Sequence, residues 1–324
     1  MINNVENLYN VMQIQSASYE SERMERFITR RLNALGLKHE VDSYGNIYVT
    51  KGKAELYPTM VCHIDTVHEI NNNVQVFKRD NKMFAMDMLT VEQYGIGGDD
   101  KVGIYITLSM LENLNNCKAV FFKDEEVGCL GSTKANFKFF DNSTIVLQCD
   151  RKHYGDFVSS INGTKLNDDT LLNDLAALLD NFNLSSTTGG LTDVLQIAKN
   201  NDVQVANLSC GYYNPHTNEE YIDILDVFDT EKFCYHALKA TAHKRYTMKR
   251  VTNLYNPYSY GIGYNTNKAT EFHPAQETGL SKANYCGCCG SETQFDEFEQ
   301  AAYCTSCMTY TYTDELAQSY HGLF

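Results

Sequence analysis

The chain lacks long apolar runs and an excess of positive charge. No segment approaches the ~20 consecutive apolar residues that a membrane-spanning helix requires. The opening residues 1–15 have neither the basic start nor the apolar centre of a secretory signal. Lys and Arg total 27 against 41 Asp and Glu, a net charge of −14. This balance argues against a nucleic-acid partner or an anionic membrane surface, because both attract clustered Lys and Arg.

Length and composition are those of an ordinary globular protein. The 324 residues are enough for one large domain and something smaller, and 43% of them are apolar and 21% charged. The 11 cysteines are scattered, and Cys62 and Cys149 lie inside apolar segments. This distribution predicts reduced thiols in a cytoplasmic protein, with a C-terminal cysteine cluster as the exception.

An apolar run over residues 119–122 predicts a buried strand, and three consecutive acids, residues 124–126, follow it closely. Adjacent carboxylates repel each other, which is costly unless cations lie beside them. Taken alone, three such acids more often form a solvated acidic turn, because charged clusters usually face water.

Four further apolar segments end in residue types that bind metals. The residues that follow them are, in order, His63 with Asp65, Asp99 after a Gly-rich loop, Asp150, and His216 after a short turn. A single such His is more often structural. Five such segments in alternating strand and helix order indicate that these side chains lie close together, because the carboxyl ends of the strands in an open α/β sheet share one edge, where ligands bind. Carboxylate and imidazole ligands suit zinc, with manganese or cobalt as alternatives.

Six motifs carry a family resemblance over roughly residues 10–240. They are HIDTVH (63–68), GIGGDDKVGI (95–104), FKDEEVGCLGS (122–132), QCDRK (148–152), GGLTDV (189–194) and GYYNPHTNEEY (211–221). Together they resemble the two-zinc exopeptidases and deacylases, which include peptidase T, carnosinase, glutamate carboxypeptidase, acetylornithine deacetylase and related aminopeptidases. The resemblance implies an α/β fold with a mixed, mostly parallel sheet flanked by helices, and hydrolysis of an amide bond.

The resemblance also implies a role for each of seven residues. His63 and Asp150 would hold one metal, Glu126 and His216 the other, Asp99 would bridge the two, Asp65 would orient His63, and Glu125 would be the general base. Glu125 would stay off the metals so that it can take a proton from the attacking water, and Asp65 would fix the tautomer of His63.

Substrate recognition is left open by the sequence. Only 65 residues separate Asp150 from His216, which leaves no room for the lid domain that grips the substrate carboxylate in many relatives. Arg151 and Lys152 could replace the lid or form a solvated basic turn. Asp193 could bind a substrate amine or cap a helix.

Several local elements are predicted from spacing and turn residues. Hairpins are expected to turn at residues 45–46 and 80–81, and a helix to begin just after Asp99 and the acid that follows it. A helix is expected over residues 130–140, and a Ser/Thr/Gly loop over residues 184–190.

The C-terminal tail predicts a second metal site. Cys286 and Cys289, and Cys304 and Cys307, form two CxxC pairs separated by 14 residues, a spacing typical of a structural zinc site that resembles a zinc ribbon. A pair of disulfides is the alternative. Residues 281–324 hold six acids and one Lys, so a protein contact, a homo-oligomer or a cover over the cleft fits better than nucleic-acid binding. The predicted domains are 1–243 catalytic, 244–282 linker and 283–324 tail.

Three functions are compatible with these features. The first is a zinc-dependent aminopeptidase or tripeptidase with two active-site metals and one structural zinc in the tail. The second uses the same chemistry on acylated amino acids or carboxyl-terminal residues, as a deacylase or carboxypeptidase. The third is a binding or scaffold protein that retains only the fold.

Overall fold

A computed structural model describes residues 3–249 and, as backbone alone, residues 294–296, 301–304 and 309–311. The chain divides into two units, of which the first spans Met1–Arg250. The predicted linker after residue 249 and most of the predicted zinc-ribbon tail lie outside the described residues. In the part of the chain that the structure describes, no helix is long and apolar enough to cross a membrane.

The first unit alternates helices with strands. Its helices are α1 (Val5–Met12), α2 (Glu22–Ala34), α3 (Gly98–Asn113), α4 (Leu130–Thr133), α5 (Asp169–Asn181), α6 (Asp193–Asn200) and α7 (Ile224–Ala240). Its strands are β1 (His39–Val41), β2 (Ile47–Lys51), β3 (Tyr57–His63), β4 (Val74–Arg79), β5 (Lys82–Asp87), β6 (Glu92–Tyr94), β7 (Cys117–Phe122), β8 (Ser143–Arg151), β9 (Asp156–Ile161), β10 (Thr164–Lys165), β11 (Ser185–Gly189), β12 (Val205–Ser209), β13 (Tyr212–Tyr213) and β14 (Tyr221–Asp223).

The main sheet has nine strands in the order β1-β2-β7-β3-β8-β12-β9-β10, and β11 pairs with β9. Its centre is parallel, because β3 pairs in parallel with β7 and β8, and β12 pairs in parallel with β8. The flanking pairs β2–β7 and β12–β9 are antiparallel. The expected mixed, mostly parallel α/β architecture is therefore confirmed, and the carboxyl ends of β7, β3, β8 and β12 lie along one edge.

Helices cover both faces of the main sheet, which explains why its central strands are apolar without alternation. In β3, Met60 and Cys62 belong to one buried cluster, which also contains residues of α1, α2, α3 and α7. Val61 belongs to a second cluster, which contains residues of α6. Successive side chains of a strand point to opposite faces, so each central strand contributes to two hydrophobic cores.

The two predicted hairpins are present. β1 pairs with β2 around residues 45–46, and β4 pairs with β5 around residues 80–81, both antiparallel. The second hairpin belongs to a smaller sheet with the order β13-β14-β5-β4, in which β6 also pairs with β5. Since β13 and β14 lie on either side of His216 in the chain, this smaller sheet carries the last predicted ligand.

Two local predictions were wrong. The expected helix over residues 130–140 is α4 followed by a separate 3-10 turn, Phe137–Phe140. Asn136 between them has non-helical backbone angles, with φ −76° and ψ 88°, and the turn buries Phe140 in the second core cluster. The expected loop over residues 184–190 contains β11, a strand at the sheet edge that pairs with β9. Its Ser and Thr side chains are largely exposed, which accounts for its polar composition.

Beyond the first unit, the described backbone forms a small antiparallel sheet. Its strands are β15 (Gln294–Asp296), β16 (Ala301–Cys304) and β17 (Thr309–Thr311), and β16 pairs with both of its neighbours. The predicted zinc ligands Cys286, Cys289 and Cys307 lie outside the described residues, so the structural zinc site remains a prediction.

Candidate metal centre

Three of the five predicted ligands lie at or just after the carboxyl ends of strands of the parallel edge, and the other two come from segments next to the smaller sheet. His63 ends β3, Asp150 lies near the end of β8, and Glu126 follows β7. Asp99 lies at the start of α3 in a non-helical conformation, and the helical backbone angles begin at Lys101. His216 lies in the turn between β13 and β14, with a positive φ of 63°. The structure brings all five side chains together.

Asp99 lies between the two histidines. Its Oδ1 atom is 3.2 Å from His63 Nε2, and its Oδ2 atom is 3.3 Å from His216 Nε2. Asp150 Oδ1 approaches the same nitrogen of His63 at 3.6 Å, and Glu126 Oε2 approaches that of His216 at 3.2 Å. The centre therefore has two halves, each with one imidazole and one carboxylate, and Asp99 faces both.

The charges in this cluster are poorly balanced. Burial and the charge of Asp99 raise the pKa of Glu126 to about 7 and that of Asp150 to about 6. Burial opposes protonation of His216, but its hydrogen bonds with Asp99 and Glu126 raise its pKa to about 11. Despite its own burial, hydrogen bonds with His216 and His63 hold the pKa of Asp99 well below the usual range. Without a metal, protonated imidazoles partly balance the negative charge of these carboxylates. A bound cation could supply this positive charge in place of the protons.

The donor set fits divalent cations. One atom each of His63, Asp99 and Glu126 lies within 4.8 Å of the others, so the three side chains are close enough to belong to one metal centre. Glu126 Oε1 is buried and has no hydrogen-bond partner among the described residues, although buried polar atoms are normally paired. Imidazole nitrogen and carboxylate oxygen are ligands that zinc and manganese accept.

Glu125 lies beside the cluster and not within it. Its Oε2 atom is 4.0 Å from His63 Nε2, and its Oε1 atom accepts a hydrogen bond from the Cys129 thiol at 3.2 Å. Burial raises the pKa of Glu125 well above its ordinary value, and the charges of nearby carboxylates such as Asp150 add to this. Such a carboxylate is suited to accept and return a proton.

Asp65 contacts both His63 and the acidic turn. His63 Nδ1 is 3.0 Å from the main-chain oxygen of Asp65 and 3.5 Å from its carboxylate. The nearer acceptor is thus the carbonyl and not the carboxylate, and either group can fix the tautomer of a metal-binding histidine. The carboxylate instead accepts the backbone N–H groups of Glu125 and Glu126, at 3.0 and 3.3 Å, and the hydroxyl of Ser18 at 2.7 Å.

The first acid of the turn has a structural role. Asp124 is buried and has a positive φ of 54°, which bends the chain directly after β7. Its carboxylate accepts the backbone N–H of Tyr19 at 2.8 Å and the hydroxyl of Tyr44 at 2.9 Å. This bend and the hydrogen bonds of Asp65 together direct the two following acids toward the centre.

The residues predicted to contact substrate are placed differently. Asp193 is fully buried at the start of α6, and its Oδ2 atom lies 3.4 Å from Gln148 Nε2. It is therefore not exposed to a substrate amine. Arg151 Nε donates to Asp156 at 2.6 Å, and Lys152, its neighbour in the chain, also has an interaction partner.

Three side chains for which the sequence predicted no role hold Asp150. Its carboxylate accepts hydrogen bonds from Thr192 Oγ1 at 2.6 Å, Gln148 Nε2 at 3.1 Å and the Tyr212 hydroxyl at 3.3 Å. Gln148 could have been found, because residues two apart on a strand share a face. Thr192 and Tyr212 are brought in by other elements, and only their positions within the resemblance motifs point to them.

The chain is similar to solved structures of several peptidases. No family model and no curated protein matches the chain. The aminopeptidase PepT from Bacillus cereus matches with a TM-score of 0.63 and 13% identity, over 74% of this chain and 98% of that one. A tripeptidase from Staphylococcus aureus matches with a TM-score of 0.62 and 15% identity, over the same shares of 74% and 98%.

A third structure is the TET1 peptidase of Pyrococcus horikoshii, which can assemble into a tetrahedron or a large octahedral shell. It matches with a TM-score of 0.53 and 16% identity, over 72% of this chain and 98% of that one. At such identities the likeness concerns the fold, and function has to be argued from the site. The chain therefore has the fold of these aminopeptidases and tripeptidases.

Proposed function

We propose that the chain is a two-metal hydrolase that cleaves an amide bond of small peptides, as an aminopeptidase or tripeptidase. The observation that carries the proposal is the position of Asp99, whose two carboxylate oxygens face His63 and His216 separately. A carboxylate that faces two imidazoles in this way is suited to bridge two cations. Asp150 beside one imidazole and Glu126 beside the other complete two equivalent halves.

Each half would hold one divalent cation, His63 and Asp150 the first and His216 and Glu126 the second. Such cations would polarise the amide carbonyl and lower the pKa of a water molecule. Glu125, partly buried at the edge of the centre, would accept the proton of that water and return it to the leaving amine. Asp65 would hold the backbone of Glu125 so that its carboxylate stays within reach.

The surroundings of the centre favour a substrate with a free amine. Arg151, the first candidate for holding a substrate carboxylate, is already paired with Asp156. The peptidases with the same fold include proteins described as aminopeptidase and tripeptidase.

The test is hydrolysis of a small panel by the zinc-loaded full chain, with Glu125→Gln as control. The panel holds free di- and tripeptides, N-blocked peptides and N-acyl amino acids. We expect cleavage only where the α-amine is free, and no turnover by the variant. Cleavage of blocked substrates alone would replace the proposal by a deacylase or carboxypeptidase. Bound metal without turnover on any substrate would favour a scaffold.

A further inference from the structure

The loop that carries Asp99, residues 95–99, donates backbone hydrogen bonds to a buried carboxylate that has no role in the proposed chemistry. Glu220 is fully buried. Its Oε2 atom accepts the backbone N–H of Gly97 at 2.7 Å, and its Oε1 atom accepts that of Asp99 at 3.1 Å. Both oxygens of Glu220 are thus engaged with the backbone of this loop.

His68 completes the environment of Glu220. Its Nε2 atom lies 2.8 Å from Glu220 Oε2, and its ring packs directly on Gly95, where an added Cβ would come within 1.9 Å of the ring. The buried Lys101 also donates from Nζ to the main-chain oxygen of Ile96 in this loop, at 2.7 Å. The peptide groups of the loop are therefore bound by ionisable side chains.

Glu220 also lies four residues after His216, so one side chain connects the two segments that supply the second half of the centre. Three donors converge on it, and a carboxylate has only acceptors to offer them. A glutamine at the same position would direct its NH2 group toward at least one of these donors. The loop would then lose a hydrogen bond in a place from which water is excluded.

We propose that Glu220, supported by His68, is a positioning residue for Asp99. It holds the backbone of residues 95–99 so that the two oxygens of Asp99 face His63 and His216 at the same time, and it ties this loop to the segment of His216. Metal affinity therefore depends on a carboxylate that binds no metal. The inference rests on the proposed function in that Asp99 is taken as a metal ligand.

The test measures binding of Mn²⁺ to the full-length Glu220→Gln variant, by the electron paramagnetic resonance signal of the free ion. Mn²⁺ is the probe because carboxylate and imidazole sites accept it, whereas thiolate sites such as the predicted tail select softer metals. Losing a residue that orients a metal ligand typically costs about 10- to 100-fold in affinity. We expect a loss in that range, with thermal unfolding measured alongside.

Glu231→Gln is the matched control. Glu231 is equally buried and accepts hydrogen bonds from the Ser109 hydroxyl, from the Tyr105 hydroxyl at 3.0 Å and from the backbone N–H of Asn3 at 2.8 Å. None of these partners is in the metal centre. The control should lower the unfolding temperature to a similar degree while leaving the affinity for Mn²⁺ unchanged.

A second variant covers the case in which Glu220→Gln does not fold. His68→Phe keeps an aromatic ring over Gly95 but removes one of the three donors to Glu220, so it should weaken Mn²⁺ binding by less than Glu220→Gln does. Wild-type affinity in both variants, or an equal loss in Glu231→Gln, would overturn the inference. Failure of the wild type to bind Mn²⁺ at all would overturn the proposed metal centre, and this inference with it.

Discussion

The two adjacent acids Glu125 and Glu126 give a sharp test of the proposed chemistry, because the structure assigns them different surroundings. Glu126 Oε2 is 3.2 Å from His216 Nε2, whereas the nearest imidazole nitrogen to Glu125 Oε2 is His63 Nε2 at 4.0 Å. Replacing either carboxylate by the isosteric amide changes charge and basicity with little change in volume. We expect one variant to lose catalysis and the other to lose metal.

In Glu125→Gln the side-chain oxygen can still accept the Cys129 thiol, and the backbone N–H can still donate to Asp65. Metal binding should therefore be retained. The lost general base should lower kcat by about 100- to 10,000-fold, which corresponds to about 3–5 kcal/mol of activation free energy. In Glu126→Gln one of three carboxylate ligands loses its charge, and metal affinity should fall by more than about 100-fold, beyond the usual effect of a residue that only orients a ligand.

The assay combines kcat on the substrate that the panel identifies with metal content after dialysis. Cys129→Ser is the control for disturbance of the turn, since a serine hydroxyl can replace the thiol donor. A fall in kcat of less than about 10-fold in Glu125→Gln with metal retained would refute its role as the base. Equal metal loss in both variants would refute the division between base and ligand.

Three further predictions concern protons, the core and the tail. The raised pKa of His216, about 11 without metal, keeps this imidazole protonated at neutral pH, so metal binding must displace the proton. The apparent Mn²⁺ affinity should therefore rise with pH. Calorimetry in buffers of different ionisation enthalpy should detect the released proton. Phe157 is fully buried and packs edge-on against Phe233, so Phe157→Ala should lower the free energy of unfolding in urea by about 3–5 kcal/mol. The control Leu89→Ala, at a position 76% exposed, should change it by no more than about 0.5 kcal/mol. Cys304→Ser should lower the zinc content by one ion per chain, because four thiolates would share that ion. The control Cys117→Ser, at a buried free thiol of β7, should leave the zinc content unchanged. A pH-independent affinity, a small effect at Phe157 or an unchanged zinc content after Cys304→Ser would contradict the respective prediction.

The sequence predicted the central strands and the edge of the sheet because their apolar runs reflect burial on both faces. The runs that end near His63 and Asp150 are the strands β3 and β8, and their order along the chain already suggested a parallel sheet. The polar strand β11 was missed because its partner β9 lies on the far side of helix α5 in the chain, so the pairing leaves no local sequence signal. The break between α4 and the 3-10 turn was missed because the burial of Phe140 outweighs local helical spacing.

The candidate site shows the same limit. Spacing and residue type can nominate His63 or His216, but they cannot distinguish an acid that faces a ligand from one that faces the backbone. In the sequence, Asp124 and Glu220 look like solvated acids, and Asp193 looks like a substrate ligand or a helix cap. All three are buried in the structure. Their partners are backbone N–H groups or side chains brought in by other segments, which only tertiary structure supplies.

The two-sided role of Asp65 has a consequence for how this centre could change by mutation. Its main-chain oxygen lies beside Nδ1 of His63, a proposed ligand at the end of β3, and its carboxylate accepts the backbone N–H groups of Glu125 and Glu126. In the proposed mechanism, the position of this ligand and that of the base are therefore linked, because any displacement at residue 65 moves both together. Substitutions that alter the position of the ligand or of the base should therefore show strong epistasis with position 65. Adaptation to a new substrate should occur through changes in the outer loops, while the ends of β3 and β7 stay unchanged.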